Sequence, residues 1–243
     1  MNLIKTELKK TNFKAYLNGS LGIFTGILAM GILFLFIPVI NGAIPAINGM
    51  DRTGEELFRD WNGILMLTSV LHFVGFGILA AVVASKLIIG EYSGKSAAVI
   101  LCYPISRKRI LNAKYLIIFG FITIIEFLSC SAVMAVVFAV SKIKGAELIE
   151  PNIPLLILVP CIGILSGLLS PAMGIISVTI GWKKRSVPAA IVSSFIAGCL
   201  LAQCFSFSYK NILAVTAVVC IVTLMVSFFV YGILAKSIDE MEV

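Results

Sequence analysis

The sequence has few charged residues, and this shortage narrows the class of protein. Of its 243 residues only 13% are charged, whereas 60% are apolar, and the mean hydropathy is +1.08. Soluble globular chains have about 25% charged and about 45–50% apolar residues. The composition therefore excludes a disordered chain, a nucleic-acid-binding arm and nearly every water-soluble enzyme fold.

Metal-binding and redox motifs are also scarce. The chain has one histidine and six cysteines, and no two cysteines form a Cys-x-x-Cys pair. A disulfide framework or a zinc site needs a different spacing. All but Cys102 lie in or beside apolar segments, which is typical of small buried hydrophobic side chains. We expect neither a metal nor an organic cofactor on this chain.

The charged residues leave six long intervals between them, and only Glu126 interrupts one of these. A helix needs about 20 apolar residues to cross a hydrocarbon core of about 30 Å, so each interval holds one span. None alternates with period two, as a transmembrane strand would. The sequence therefore predicts an all-α integral membrane protein, with residues 1–243 as one domain of six transmembrane helices. The predicted spans are residues 17–40, 64–89, 115–140, 155–180, 187–203 and 212–234.

The basic residues are unevenly distributed between the two sides of these spans. With the N-terminus inside, 14 of the 19 Lys and Arg residues lie on the cytoplasmic side. Because basic residues concentrate in cytoplasmic loops, we predict that both termini are cytoplasmic. The basic residues of the cytoplasmic side then account for the net charge of +7, and binding of a nucleic acid is not needed to explain it. Residues 1–16 place apolar side chains at helical spacing among lysines, which predicts an interfacial amphipathic helix, with a solvated basic tail as the alternative.

Two ionisable residues lie inside predicted spans. Glu126 follows Tyr115 by 11 residues and His72 follows Trp61 by 11, so each is about 16 Å deep, near the bilayer midplane. A charged carboxylate there costs about 2.5 kcal/mol or more. We hypothesise that Glu126 lines a translocation route or pairs with His72. The alternative is a neutral glutamic acid hydrogen-bonded between helices.

Two pairs of glycines have the spacing that allows helices to approach closely. Gly163 and Gly167 form one Gly-x-x-x-Gly pair, and Gly22 and Gly26 form the other. We predict that both serve helix packing within the chain, with a dimer seam or a hinge as the alternatives.

The longest cytoplasmic connection, residues 90–114, joins spans two and three. It contains a short apolar helix that ends before Pro104 and a basic turn that leads into the next span. Such a helix is too short to cross the bilayer, so it must lie in the headgroups or against a protein partner. The stretch from Gly90 to Ser96 is similar to a phosphate-binding P-loop, but three residues separate its glycines where four are needed. We therefore predict no nucleotide site in this chain.

This connection resembles the signature of type-two ABC permeases, the membrane subunits of ATP-binding-cassette exporters. In that family an acidic residue closes span two, a glycine follows three residues later, and a short helix leads to Leu-x-x-Pro-Ile-x-Arg, then Ile-Leu and Lys. Lys95 stands where the family usually has threonine. The six-span layout and the length agree too, so the resemblance covers the whole chain. The matching residues are Glu91, Gly94, Leu101, Pro104, Ile105, Arg107, Ile110, Leu111 and Lys114.

The resemblance implies that residues 90–103 form a coupling helix seated on a separate ABC ATPase. Two ATPase copies holding ATP and Mg, and a second permease chain, identical or not, would complete a transporter in the bacterial plasma membrane. This chain would then be no enzyme, and its substrate would be an amphipathic or antimicrobial peptide or a drug, as in export or immunity systems. The alternative function is a stand-alone channel or ion-coupled carrier that uses Glu126 and His72. The implied coupling residues are Glu91, Tyr92, Gly94, Leu101, Tyr103, Pro104, Ile105 and Arg107.

Overall fold

A computed structural model describes residues 13–43, 55–92, 107–144, 148, 153–206 and 211–239. Six of the helices in these ranges are long and apolar enough to cross a membrane, and the short α2 is the exception. The prediction of an all-α protein with six transmembrane helices is thereby confirmed. The helices are α1 (Phe13–Ala43), α2 (Glu55–Arg59), α3 (Trp61–Tyr92), α4 (Arg107–Lys144), α5 (Leu155–Lys183), α6 (Val187–Ser206) and α7 (Ile212–Asp239).

The apolar spans begin and end close to the predicted positions. In α5 the span is Leu155–Lys183, and in α6 it is Val187–Phe205. The main difference is α4, which begins at Arg107 although the span was predicted from residue 115. The predicted span began just after Lys114, because this charged residue was taken as the boundary of the apolar interval. In the structure the Lys114 side chain is buried against α3, and α4 includes it.

Several predicted features lie outside the described residues. Of the interfacial helix at 1–16, only residues 13–16 are described, as the start of α1. Most of the connection at 90–114 is also outside, including five of the implied coupling residues. Those five coupling residues are Gly94, Leu101, Tyr103, Pro104 and Ile105. The prediction that both termini are cytoplasmic also stays a prediction.

Helices α3 and α5 form the centre of the bundle. Helix α5 packs against α3, α4, α6 and α7, and α3 is the most buried of the spans. Glycine allows the closest approaches, because a Cβ on Gly174 would lie 2.6 Å from the Cβ of Ala80 on α3. A Cβ on Gly181 would likewise lie 2.6 Å from the Cβ of Ala190 on α6. Small residues therefore hold the central helices together, as is common where lipid surrounds a bundle.

A proline inside α5 creates a specific contact with α4. Pro171 has no backbone N–H, so the carbonyl of Gly167, four residues earlier, loses its helical hydrogen bond. The hydroxyl of Thr123 on α4 donates to that carbonyl oxygen at 2.7 Å. Since an unsatisfied carbonyl in a membrane interior is costly, this hydrogen bond compensates for the proline and fixes α4 against α5.

Candidate functional site

An ion pair joins the two ends of the 90–114 connection. Lys114 on α4 is only 1% exposed, and its Nζ donates to the carboxylate of Glu91 near the end of α3. The same Nζ donates to the backbone oxygen of Leu87 at 2.8 Å. Leu87 and Glu91 are four residues apart and share one helix face, so one ammonium group is held by two acceptors of α3. We call this arrangement of Lys114, Glu91 and Leu87 the loop clamp.

The loop clamp lies where the predicted coupling segment leaves α3 and returns in α4. Tyr92 is the last residue of α3, and Arg107 is the first residue of α4. From the sequence, Lys114 was identified as a matching position of the family motif, but its ion pair with Glu91 was not predicted. The signal in the sequence is a lysine that follows Ile110 and Leu111 on one helix face, which the structure shows to be buried.

Glu126 lies in the interior, on the side of α4 that faces α5. Its side chain is fully buried, and neither carboxyl oxygen has a hydrogen-bond partner among the described residues. Ser166 and Ser170 of α5 are its hydroxyl neighbours. Their hydroxyls donate to backbone oxygens, that of Ser166 to Gly163 and that of Ser170 to Phe73 of α3, each at 3.3 Å. The carboxyl group therefore sits in a polar pocket of the protein core and not against lipid.

His72 is held in place by other partners. It is fully buried on α3, and its Nδ1 lies 2.8 Å from the backbone oxygen of Thr68. A carbonyl only accepts hydrogen bonds, so Nδ1 carries a proton. Its Nε2 lies 3.2 Å from the hydroxyl oxygen of Ser129 on α4. The direct pair between Glu126 and His72 that we hypothesised is absent from this structure, since Ser129 occupies the position next to the imidazole.

Ser129 nevertheless connects the two groups spatially. It follows Glu126 by three residues, so the two side chains project from the same face of α4. Glu126, Ser129, His72, Ser166 and Ser170 thus form one polar cluster between α3, α4 and α5, which we call the buried polar cluster. Side chains on three helices meet there, so any relative movement of these helices changes its contacts.

The two glycine pairs have different surroundings. A Cβ on Gly163 would lie 3.3 Å from the Phe127 ring, and one on Gly167 would lie 3.1 Å from the Thr123 carbonyl oxygen, so this pair lets α5 approach α4 beside Glu126. By contrast, a Cβ on Gly22 or Gly26 would have no atom of the described chain within 4 Å. No described residue therefore packs on Gly22 or Gly26, and packing within the chain stays a prediction for this pair. Helix α1 packs through the opposite stripe, which includes buried Ser20, Ile27 and Gly31.

The fold and the two sites together define the class of protein. It is a helical membrane protein with a buried polar cluster between three of its spans and an ion pair, the loop clamp, at one end of the bundle. Residues 3–200 match the sequence model of the ABC-2 family transporter protein, and the chain belongs to this family. The uncharacterized protein YcbO of Bacillus subtilis (strain 168) is 28% identical over 208 residues, 84% of this chain and 84% of YcbO. No solved structure matches the chain. The protein is thus a multi-pass protein of the bacterial plasma membrane and a membrane subunit of an ABC transporter.

Proposed function

We propose that this chain is the permease subunit of an exporter that uses ATP hydrolysed by a separate ATPase, docked on residues 90–114. Membership of the ABC-2 family supports the dependence on an ABC ATPase. The observation that carries the choice of docking segment is the loop clamp. An ATPase that moves this segment must move α3 and α4 together, because Lys114 and Glu91 hold the ends of the segment at a fixed separation.

The packing of the bundle carries such a movement inwards. Helices α3 and α4 both contact α5, and the buried polar cluster lies where these three helices meet. A displacement at the clamp therefore reaches Glu126 through two rigid helices and the Thr123–Gly167 hydrogen bond. We propose that the cluster opens toward the transport route during this step and that Glu126 then faces substrate.

The proposed substrate is an amphipathic or antimicrobial peptide, with a drug as the second candidate. Support comes from the resemblance to small permeases of peptide export and immunity systems. The connections on the predicted outer side are short, with residues 207–211 between α6 and α7 as the shortest, and their lengths leave no room for a large capturing domain. Substrate would therefore enter from the cytoplasm or from the bilayer. We further propose an assembly of two permease chains and two ATPases, with ATP and Mg bound by the ATPases.

Affinity purification of the tagged chain from its native membranes tests the proposal. We expect a roughly stoichiometric ABC ATPase to purify with it, and Arg107→Glu, within the docking segment, should reduce the amount recovered. Lys184→Glu is the matched control, because Lys184 is an exposed base in the connection between α5 and α6. A chain that purifies alone and still transports would refute the exporter. Loss of that transport in Glu126→Gln would then favour the ion-coupled carrier.

A further inference from the structure

A groove on the surface of the bundle separates α4 from α7. These two helices make few contacts with each other, and the space between them has a volume of about 690 Å³. Tyr115, Phe119 and Gly120 of α4 line one wall, and Met225 and Phe228 of α7 line the other. Phe228 is 80% exposed, so the groove opens sideways into the surrounding lipid. Its volume is within the range of sites that bind small molecules.

One end of the groove is polar and aromatic. The hydroxyl of Tyr231 on α7 donates to the amide oxygen of Asn112 on α4. The ring of Tyr115 lies 4.8 Å from the Tyr231 ring and 5.8 Å from the Phe119 ring, measured between centroids. Tyrosines with a polar end and an apolar ring are typical of the level where headgroups meet acyl chains. This end therefore marks the membrane interface, and the rest of the groove lies at acyl-chain depth.

Basic residues extend this polar end. Lys108 and Arg109 are exposed and precede Asn112 by four and three residues, so they lie on the face of α4 that lines the groove. Lys236 is exposed on α7 eight residues after Phe228, on the corresponding face, although Asp239 follows it at the end of the helix. An apolar groove beneath a basic rim is complementary to an acyl chain that carries an anionic headgroup.

The geometry points to a binding site for an anionic phospholipid between α4 and α7, with an acyl chain in the groove and its phosphate beside Lys108 and Arg109. On the predicted orientation this lipid belongs to the cytoplasmic leaflet. The inference depends on the groove and its rim and does not require the proposed coupling to an ATPase.

Gly120 provides a direct way to close the groove. A Cβ at this position would have no atom of the described chain within 4 Å, so a larger side chain is accommodated without a clash. Gly120→Leu should fill the groove and leave the fold intact. Gly120→Ala is the matched control for the loss of glycine, since it raises helix propensity but leaves most of the groove open. Ala132→Leu, at an exposed position further along α4, is the control for added apolar bulk.

Native mass spectrometry of the purified full-length chain measures the result, with phosphatidylglycerol and phosphatidylcholine of identical acyl chains as probes. We expect one tightly retained phosphatidylglycerol per chain, which Gly120→Leu loses and both controls keep. Lys108→Gln and Arg109→Gln should each lower the preference for phosphatidylglycerol about fivefold, the effect of about one basic residue near a charged surface.

Two results would overturn the inference. One is retention of phosphatidylglycerol by Gly120→Leu at the level of Ala132→Leu, which would mean that the lipid binds elsewhere. The other is a dimer that Gly120→Leu converts to a monomer with unchanged lipid retention, which would assign the groove to a second copy of the chain. Neither result depends on whether an ATPase purifies with the protein.

Discussion

The loop clamp predicts an asymmetry between its two charged residues. Lys114 is 1% exposed, whereas the side chain of Glu91 is 18% exposed. Removal of the lysine, in Lys114→Met, leaves a carboxylate that water can reach. Removal of the negative charge, in Glu91→Gln, leaves a buried ammonium group without its counter-charge, with the glutamine amide oxygen and the Leu87 carbonyl as neutral acceptors. We therefore expect the glutamine variant to be the less stable of the two.

The magnitudes follow from the burial of the group that each variant leaves behind. Breaking a buried ion pair by removing one partner costs about 3–5 kcal/mol, and Glu91→Gln should lie near the lower end of this range because the glutamine amide oxygen still accepts from the ammonium group. Lys114→Met keeps the apolar stem of the side chain and leaves the more exposed group, so the expected cost is about 1–3 kcal/mol. The double variant removes both charges and should regain about 1–3 kcal/mol relative to Glu91→Gln alone, because no unpaired buried charge is then left.

The assay is equilibrium unfolding of the purified chain in mixed micelles, analysed as a double-mutant cycle. Lys142→Met is the control, because Lys142 is an exposed lysine at the other end of α4 and its loss should change stability little. Additive losses in the double variant, or equal losses in the two single variants, would refute the idea that the clamp is a desolvated pair. With the partner ATPase present, the single variants should also hydrolyse ATP with less export per ATP than the wild type.

Three further predictions test the interior. Thr123→Val should lower the free energy of unfolding by about 1 kcal/mol, because the Gly167 carbonyl then has no donor, and the same unfolding assay measures it. Gly174→Leu should cost at least about 2 kcal/mol through overpacking, whereas Gly26→Leu, whose added Cβ meets no atom of the described residues, should be neutral. Glu126→Gln should leave the yield of folded protein unchanged, since no hydrogen bond of the described structure is lost, and it should reduce export. Full export by this variant would show that the charge of the carboxyl group is not used.

The sequence was sufficient to predict the spans because each span is recognised from the apolar character of its own residues, summed over about 20 positions. Intervals without charge set the number of helices, and their ends agree with the structure to within a few residues in α5 and α6. The early start of α4 was missed because a lysine counts as a span boundary when partners are ignored. Burial of Lys114 is possible because acceptors on another helix, among them Glu91 and Leu87, take its hydrogen bonds. Such a contact depends on tertiary packing and is invisible to a window of residues.

The same reason limits what could be predicted about the site. Counting residues predicted that Glu126 and His72 lie deep in the bilayer, and the structure shows that both side chains are buried in the bundle. The partners of these two side chains could not be predicted in this way. Counting residues gives the position of a side chain along the helix axis, but it does not show which neighbouring helix the side chain contacts. The Thr123–Gly167 contact could have been anticipated in part, because Pro171 signals that the carbonyl of Gly167 needs an external donor. Only the donor's identity required the fold.

Helix α4 links the three features described above. Lys114 near its start belongs to the loop clamp, Thr123 donates to a carbonyl of α5, and Glu126 belongs to the buried polar cluster. Between Lys114 and Thr123, the side chains of Tyr115 and Phe119 and the Gly120 position line the groove toward α7, where contacts are sparse. A rigid helix that moves at the clamp carries all of these residues with it. Because the clamp and the Thr123–Gly167 hydrogen bond hold α4 to α3 and α5, the separation of α4 from α7 is the one that changes with the fewest contacts broken. The width of the groove should therefore change when α4 moves, and a side chain that fills the groove at Gly120 should restrict its narrowing.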